Sequence, residues 1–307
     1  MKIIVAGGSG FIGSELIRKL LEAKHHVILL SRNPDSVGFK QSDFLQIAQW
    51  DGKNAGDWSG FVDGADAVIN LSGENIASKR WSKYRKSLLL DSRIKPTRAL
   101  VEAISRVATK PRVLINTSAV GFYGNFGEGD VTESETQGSG FLAELCSKWE
   151  HEAVAAEKYG VRVVLLRIGV VLEQSGGALK KMMMPFKLFT GGPLGSGRQW
   201  FPWIHREDVI SIILFALESN LLNGAVNVAS PSPVTMSGFA SSLGEAMRRP
   251  SWMAVPSLFL KIILGEMSEM LIGGRRIIPK KLIDNGFIFR YPDLNTALNS
   301  IIHTRKI

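Results

Sequence analysis

The residues with the clearest chemical purpose stand near the start of the chain, in Gly7-Gly8-Ser9-Gly10-Phe11-Ile12-Gly13. The loop follows an apolar run over residues 2–6. It opens a helical pattern over residues 11–23, with Phe11, Leu16, Leu20 and Ala23 on one face. Gly7 permits a tight turn, Gly10 lets a pyrophosphate approach the backbone, and Gly13 lets the helix pack on the strand. Ser9, Phe11 and Ile12 lie among them, where unpaired N–H groups and the helix dipole favour an anion. A plain glycine turn is the alternative, and the strand-loop-helix context argues against it.

The tip of the second apolar run reads Leu29-Leu30-Ser31-Arg32-Asn33. An acidic residue there would bind the ribose 2′-hydroxyl of NAD, whereas a basic one accommodates the 2′-phosphate of NADP. Arg32 offers a planar fork for phosphate and Ser31 a hydroxyl. The expected cofactor is therefore NADP(H), against the plainer use of Arg32 as a solvated loop residue. Arg80, Trp81, Arg198, Gln199 and Trp200 have the chemistry of a clamp for an anionic or ring-shaped substrate. Packing between two parts of the molecule would use the same side chains equally well.

These groups need a scaffold. Short apolar runs at 2–6, 27–31, 44–48, 67–71, 113–117 and 161–166 alternate with helical patterns, the signature of βαβ units and a parallel sheet. Residues 81–107 read as a long helix that Pro96 should restart or kink. Beyond residue 170 glycine-rich loops replace the alternation, and a helix over 206–218 and a strand over 225–229 return to the sheet. The expected organisation is a cofactor domain over 1–170, completed near 206–230, with a substrate-side region over 171–307. Its last part begins at about residue 250.

Composition narrows the function classes. With 45% hydrophobic and 21% charged residues, the chain has the makeup of a globular protein. The net charge of +9 fits a solvated basic surface or an affinity for phosphorylated small molecules. No zinc-finger spacing, RNP-type aromatic run or basic heptad region is present, so no nucleic acid and no metal is expected. A lone cysteine, Cys146, fits a reducing compartment and a buried structural role; no histidine neighbours it in sequence. No run reaches the ~18 apolar residues of a membrane span. The nearest, 251–264, holds Pro256 and Lys261, so no membrane partner and a cytoplasmic location are expected. A homo-oligomer stays open.

Together with the glycine loop, Asn70-Leu71-Ser72-Gly73, Thr117-Ser118 and Tyr123-Gly124 resemble the extended short-chain dehydrogenase/reductase superfamily. Lys79-Arg80-Trp81, Ser92-Arg93 with Thr97, the run from Ser118 to Gly124, the run from Gly191 to His205, Pro279-Lys280-Lys281-Leu282 and Gly286-Phe287 narrow the likeness. They resemble its atypical branch, the epimerase-family or nucleoside-diphosphate-sugar epimerase proteins, over nearly the whole chain. The resemblance implies an α/β fold, a doubly wound Rossmann-type parallel sheet with a smaller C-terminal substrate-side region. It further implies that Asp51 faces the adenine, that Leu71, Ser72 and Gly73 line the adenosine and ribose, and that Ser118 reaches the nicotinamide end. His205 and Asp208 resemble a His-x-x-Asp segment with an architectural role.

One departure from that family pattern bears on catalysis. Ordinary members use a Ser, a Tyr and a Lys four residues after the Tyr, a spacing that puts phenol and ammonium on one helix face. Here Lys148 is present to hold the ribose, but Glu144 stands in the tyrosine's place. Beside a lysine a carboxylate accepts a proton more readily than it donates one, unless burial reverses that preference. The plainer reading is a surface helix pair worth ~0.3–0.5 kcal/mol. Tyr123 is the other candidate proton donor, with packing as its alternative. Two functions are consistent with these residues. One is an NADP(H)-dependent oxidoreductase or epimerase acting on an anionic or nucleotide-sugar-like small molecule. The other is a non-catalytic NADP(H)-binding redox sensor or regulatory protein. A sensor could address its partner through the apolar, Met-containing segment 252–272, whose ordinary use is core and lid.

Overall fold

Runs of Val, Ile and Leu that must bury both faces are satisfied inside a parallel sheet covered by helices on either side. The computed structural model, which describes residues 1–125, 127 and 129–303, contains such a sheet. Its strands are β1 (Lys2–Ala6), β2 (His26–Ser31), β3 (Leu45–Gln49), β4 (Ala67–Asn70), β5 (Val113–Ala119), β6 (Arg162–Ile168) and β7 (Gly224–Val228). They lie in the order β7-β6-β5-β4-β1-β2-β3, with every neighbouring pair parallel. The connections run one way through β1, β2 and β3 and the other way from β4 onward. The reversal falls between β1 and β4, where a ligand crevice opens beyond the carboxyl ends of such strands.

Period-two alternation sends Ile3, Val5, Leu29, Ile69 and Ile115 to one face, against Leu16 and Ile17 of α1 (Gly13–Glu22) and Val209 and Ile213 of α5 (Arg206–Glu218). Ile4, Ile28, Val68 and Leu114 face the other way. They meet Ala99 and Ala103 of α2 (Lys83–Arg106) and Ala153 of α3 (Phe141–Val154). Pro96 neither restarts nor interrupts α2, which continues through it as one helix. The proline removes one N–H, and next to it the Thr97 hydroxyl donates to the Arg93 carbonyl at 2.8 Å, tightening that turn.

A third core joins α4 (Gly177–Lys187) to α6 (Met236–Met247) and to the helix Leu294–His303, through Met183, Phe186, Phe239, Leu243, Leu294 and Leu298. Asp208 pins the approach to that last helix by accepting from the backbone N–H groups of Arg290 (2.8 Å) and Tyr291 (3.0 Å). His205 caps α5 through Nδ1, which accepts from Glu207 N at 3.1 Å, and its ring lies 3.9 Å from that of Tyr291. Both residues are architectural. Among the described residues no helix is long and apolar enough to cross a membrane.

Candidate cofactor and substrate site

The glycine loop leaves β1 at the point where the strand order reverses. Gly7 sits at φ +76°, and a Cβ there would lie 2.7 Å from the backbone carbonyl of Leu71, so the loop and the end of β4 are in direct backbone contact. A Cβ on Gly13 would meet the Gly7 oxygen at 2.4 Å; the start of α1 is pressed onto the loop. Gly10 differs: among the described residues, its chain neighbours aside, an added Cβ would come within 4 Å of the Gly7 oxygen alone, at 3.2 Å. That position opens outward, as a pyrophosphate would require. No side chain caps α1. Ser14 N and Leu16 N already donate to the Gly10 and Ile12 carbonyls at 2.9 and 3.1 Å, so the N–H groups that an anion could meet are those of the turn from Phe11 to Gly13. Ser9 is exposed beside this opening. Ile12 is half-buried at the helix start, and the Phe11 ring closes against Gly176 and Gly177.

Leu71, Ser72 and Gly73 are held by a buried polar network below them. Asn70 Nδ2 donates to Asn116 Oδ1 (2.7 Å) and Thr97 Oγ1 (2.9 Å), while Asn70 Oδ1 accepts from Ser72 N (3.1 Å). Trp149 Nε1 donates to the same Thr97 hydroxyl at 2.9 Å. Across this network lies Arg93, which the motif runs contain but whose chemistry they do not reveal. Its guanidinium would stand 3.3 Å from a Cβ on Gly73, sits 5.3 Å from the Trp149 ring centroid, and donates to the Glu74 carbonyl at 3.0 Å. Burial pulls its pKa below the usual arginine value.

At the far end of the loop, Ser31 is buried and its Oγ accepts from Asn33 N at 3.2 Å, shaping the tip of β2. Arg32 is exposed beyond it, with its methylenes alongside Gly52. Asp51 stands at the end of β3, but its carboxylate turns into its own loop, accepting from Asn54 N (2.9 Å), Lys53 N (2.7 Å) and Asn54 Nδ2 (2.6 Å). The Asn54 and Lys53 bonds hold its carboxyl below the ordinary aspartate value. Its visible work is to form that turn.

The four residues considered for proton transfer do not converge. Glu144 and Lys148 lie one turn apart on the exposed face of α3, and among the described residues no ion pair joins them. Ser118 is buried and points away from them; its Oγ donates to Glu150 Oε1 at 2.6 Å. Glu150 comes two residues after Lys148, about 200° around the helix, which explains why the serine and the lysine part company. Tyr123 is only 1% exposed. Its hydroxyl donates to Asn227 Oδ1 at 2.7 Å and accepts from Arg167 Nη1 at 2.9 Å. Burial raises its pKa and keeps the phenol protonated. In this arrangement the hydroxyls of Tyr123 and Ser118 are both taken by interior partners.

The centre of that interior network is a bidentate ion pair. Arg167 Nε and Nη2 donate to Glu150 Oε1 (2.9 Å) and Oε2 (2.8 Å), and its guanidinium stacks 3.5 Å from the Phe122 ring centroid. Asn227 continues the network, its Nδ2 donating to the Ile278 carbonyl at 3.0 Å. Sequence reading passed over Glu150, Arg167 and Asn227. For Arg167 and Asn227 the signal was available, because a charged or amide side chain inside an apolar strand requires a buried partner.

The proposed substrate clamp is likewise divided. Trp81 is core: its Nε1 donates to the Ile76 carbonyl at 3.0 Å, its ring meets Phe141 edge-on, and Met267 and Met270 pack against the cluster it belongs to. Gln199 is committed through Nε2 to the carbonyls of Leu194 and Leu271, both at 2.8 Å. Trp81 offers no free face to a ligand, whereas Gln199 keeps part of its surface on a cavity. Arg80 is exposed next to Gly265, and Lys86 pairs with Glu266. The segment 265–274 therefore lies between the Arg80 side and the Arg198 side. Exposed Arg198 borders a cavity of about 370 Å³, together with Gln199, Trp200, Asn125, Ile272 and Gly274. Cys146 is buried, and burial pushes its thiol up to about 11, which leaves it structural.

A family model described as the NAD dependent epimerase/dehydratase family matches residues 3–229. The chain belongs to this family. A second model, a domain of unknown function (DUF1731), matches residues 255–301, the segment that divides the clamp and the helix that ends the described chain. The epimerase family protein YfhF of Bacillus subtilis is 40% identical over all of this chain and 99% of its own length. The chloroplastic SDR39U1 homolog of Arabidopsis thaliana is 39% identical over 98% of this chain and 87% of its own. The crystal structure of human epimerase family protein SDR39U1 (isoform2) with NADPH is similar at a TM-score of 0.88. It shares 32% identity, over 99% of this chain and 100% of that one. The atypical extended branch read from the motifs, and the doubly wound sheet it implied, agree with these findings.

Proposed function

We propose that this epimerase-family protein binds NADP(H) across the β1–β4 crevice and acts as an oxidoreductase or epimerase on a small anionic substrate. The observation that carries the cofactor reading is the outward opening at Gly10 above an uncapped helix, with Arg32 rather than an acid at the tip of β2. The NADPH of the human relative supports the same choice. The glycine loop holds the pyrophosphate and Arg32 the 2′-phosphate, while Lys148 serves the nicotinamide ribose. Arg93 adds a half-buried cation beside Gly73; among the described residues no carboxylate pairs with it, so a ligand anion suits it. When bound, the nicotinamide accepts or delivers hydride. Glu144, exposed and one turn from Lys148, is suited to take the proton of a substrate hydroxyl, and Arg198 to hold the substrate's negative group. On this reading the chain oxidises alcohols more readily than it reduces carbonyls.

The burial of Ser118 and Tyr123 favours a second reading, a non-catalytic NADP(H)-binding sensor or regulator. Two measurements decide between them. In the first, NADPH and NADH are titrated by fluorescence against the wild type and Arg32→Glu; equal affinity for both cofactors in the wild type would remove NADP(H) from the proposal. In the second, NADP+ and NADPH are offered with alcohols, carbonyl compounds and nucleotide sugars while absorbance and product composition are followed. No turnover despite NADPH binding supports the sensor, and activity retained in Glu144→Gln removes the proposed base.

A further inference from the structure

The helix α7 (Ser257–Leu264) is built the wrong way out for a globular protein. Leu258 and Ile262, and Phe259 and Ile263, recur four residues apart on one stripe. They are 70%, 65%, 56% and 49% exposed, while Leu260 alone turns inward. Just before it, Trp252 is 68% exposed. The chain there is tied to the stretch after α4 by the Met253 N–H donating to the Gly191 carbonyl at 3.0 Å, and that stretch carries two more exposed apolar side chains, Leu188 and Phe189. Folded monomers seldom leave a stripe of four large apolar side chains on one helix in water without a use for it.

Charge identifies the occupant. The two segments that form this surface, residues 177–192 and 247–265, contain no Asp or Glu, yet they carry Lys180, Lys181, Lys187, Arg248, Arg249 and Lys261. Arg249 lies 4.4 Å from the Phe189 ring centroid, so cation and apolar surface are interleaved. A second copy of the chain would bring two such basic rims together and pay for the repulsion. An anionic lipid surface would neutralise the rim while accepting the apolar side chains among its headgroups. Apolar residues flanked by lysine and arginine, with tryptophan at the margin, are the pattern of a helix lying in the plane of a bilayer surface.

We infer that α7, with Trp252 and Phe189 beside it, docks this protein on anionic membranes. The helix lies in the interface and does not span it. The test is co-sedimentation of the full chain with vesicles of phosphatidylcholine alone and of phosphatidylcholine mixed with phosphatidylglycerol, at low and at high salt. The wild type should pellet with the mixed vesicles at low salt and be released by high salt. Leu258→Glu/Ile262→Glu should reduce partitioning by roughly tenfold or more, because two apolar side chains lose their burial. Its thermal unfolding should be unchanged, since both positions are exposed. Lys187→Glu/Lys261→Glu should abolish the preference for the anionic lipid. Equal binding to both vesicle types, or equal binding by the apolar double variant, overturns the inference. So does a concentration-dependent dimer that the same double variant dissociates and that ignores vesicles.

Discussion

Replacing Gly10 by alanine separates what the loop does for the fold from what it does for a ligand. The added methyl would meet one protein atom, the Gly7 oxygen at 3.2 Å, and Gly10 is not among the glycines held at positive φ. Less freedom in the unfolded chain offsets that contact by about 0.4–1 kcal/mol. The net change in stability should therefore lie within about 1 kcal/mol, or ~2–4 °C in Tm. Ligand binding should respond very differently, because the methyl occupies the face on which a pyrophosphate must rest. A loss of at least ~100-fold in NADPH affinity, about 2.8 kcal/mol, is expected. The assay is thermal unfolding with and without NADPH. With ligand at about a hundred times its Kd, the wild type should gain ~2.7 kcal/mol, and Gly10→Ala almost nothing. Wild-type NADPH affinity in the variant would show that the pyrophosphate lies elsewhere. Failure of the variant to fold would refute the steric argument itself.

Three further outcomes follow from the interior. Glu150→Gln leaves Arg167 buried without its counter-charge and should cost ~3–5 kcal/mol in urea unfolding, while Glu150→Gln/Arg167→Met should recover a large part of that; an equal loss in both would place the instability elsewhere. Burial lowers the His205 pKa to about 4 from 6.5, so the unfolded chain takes up a proton before the folded one does. Stability is then fully present above pH 6.5 and lost as pH falls toward 4, by ~3 kcal/mol in all. His205→Asn, which keeps a capping acceptor, should flatten that part of the stability-pH curve. Cys146 should resist a thiol reagent in the native protein and react only at the rate of unfolding; rapid native labelling would contradict its burial.

The fold was largely legible in the sequence because its signals are local. An apolar run of five residues, a glycine loop and an amphipathic helix can each be read within a window of about 18 residues, and β1, Gly7 to Gly13 and α1 occur where that reading places them. At Pro96 the local rule offers a restart or a kink; the restart does not occur, because the packing of Ala99, Leu100 and Ala103 against the sheet carries α2 on.

The sequence by itself determined the sheet, the glycine loop between β1 and α1, and the absence of an acid at the tip of β2. Each of these depends on residue type at close spacing. Only the tertiary structure decided which polar groups face a ligand. Tyr123 meets Asn227 across 104 positions and Ser118 meets Glu150 across 32, and Trp81 belongs to a cluster closed by Met267 and Met270. A side chain's spacing from its neighbours says what chemistry it has. Whether that chemistry is spent inside the protein depends on partners that folding brings from far along the chain, and here those partners claim the serine, the tyrosine and the tryptophan but leave Glu144 and Lys148 in the open.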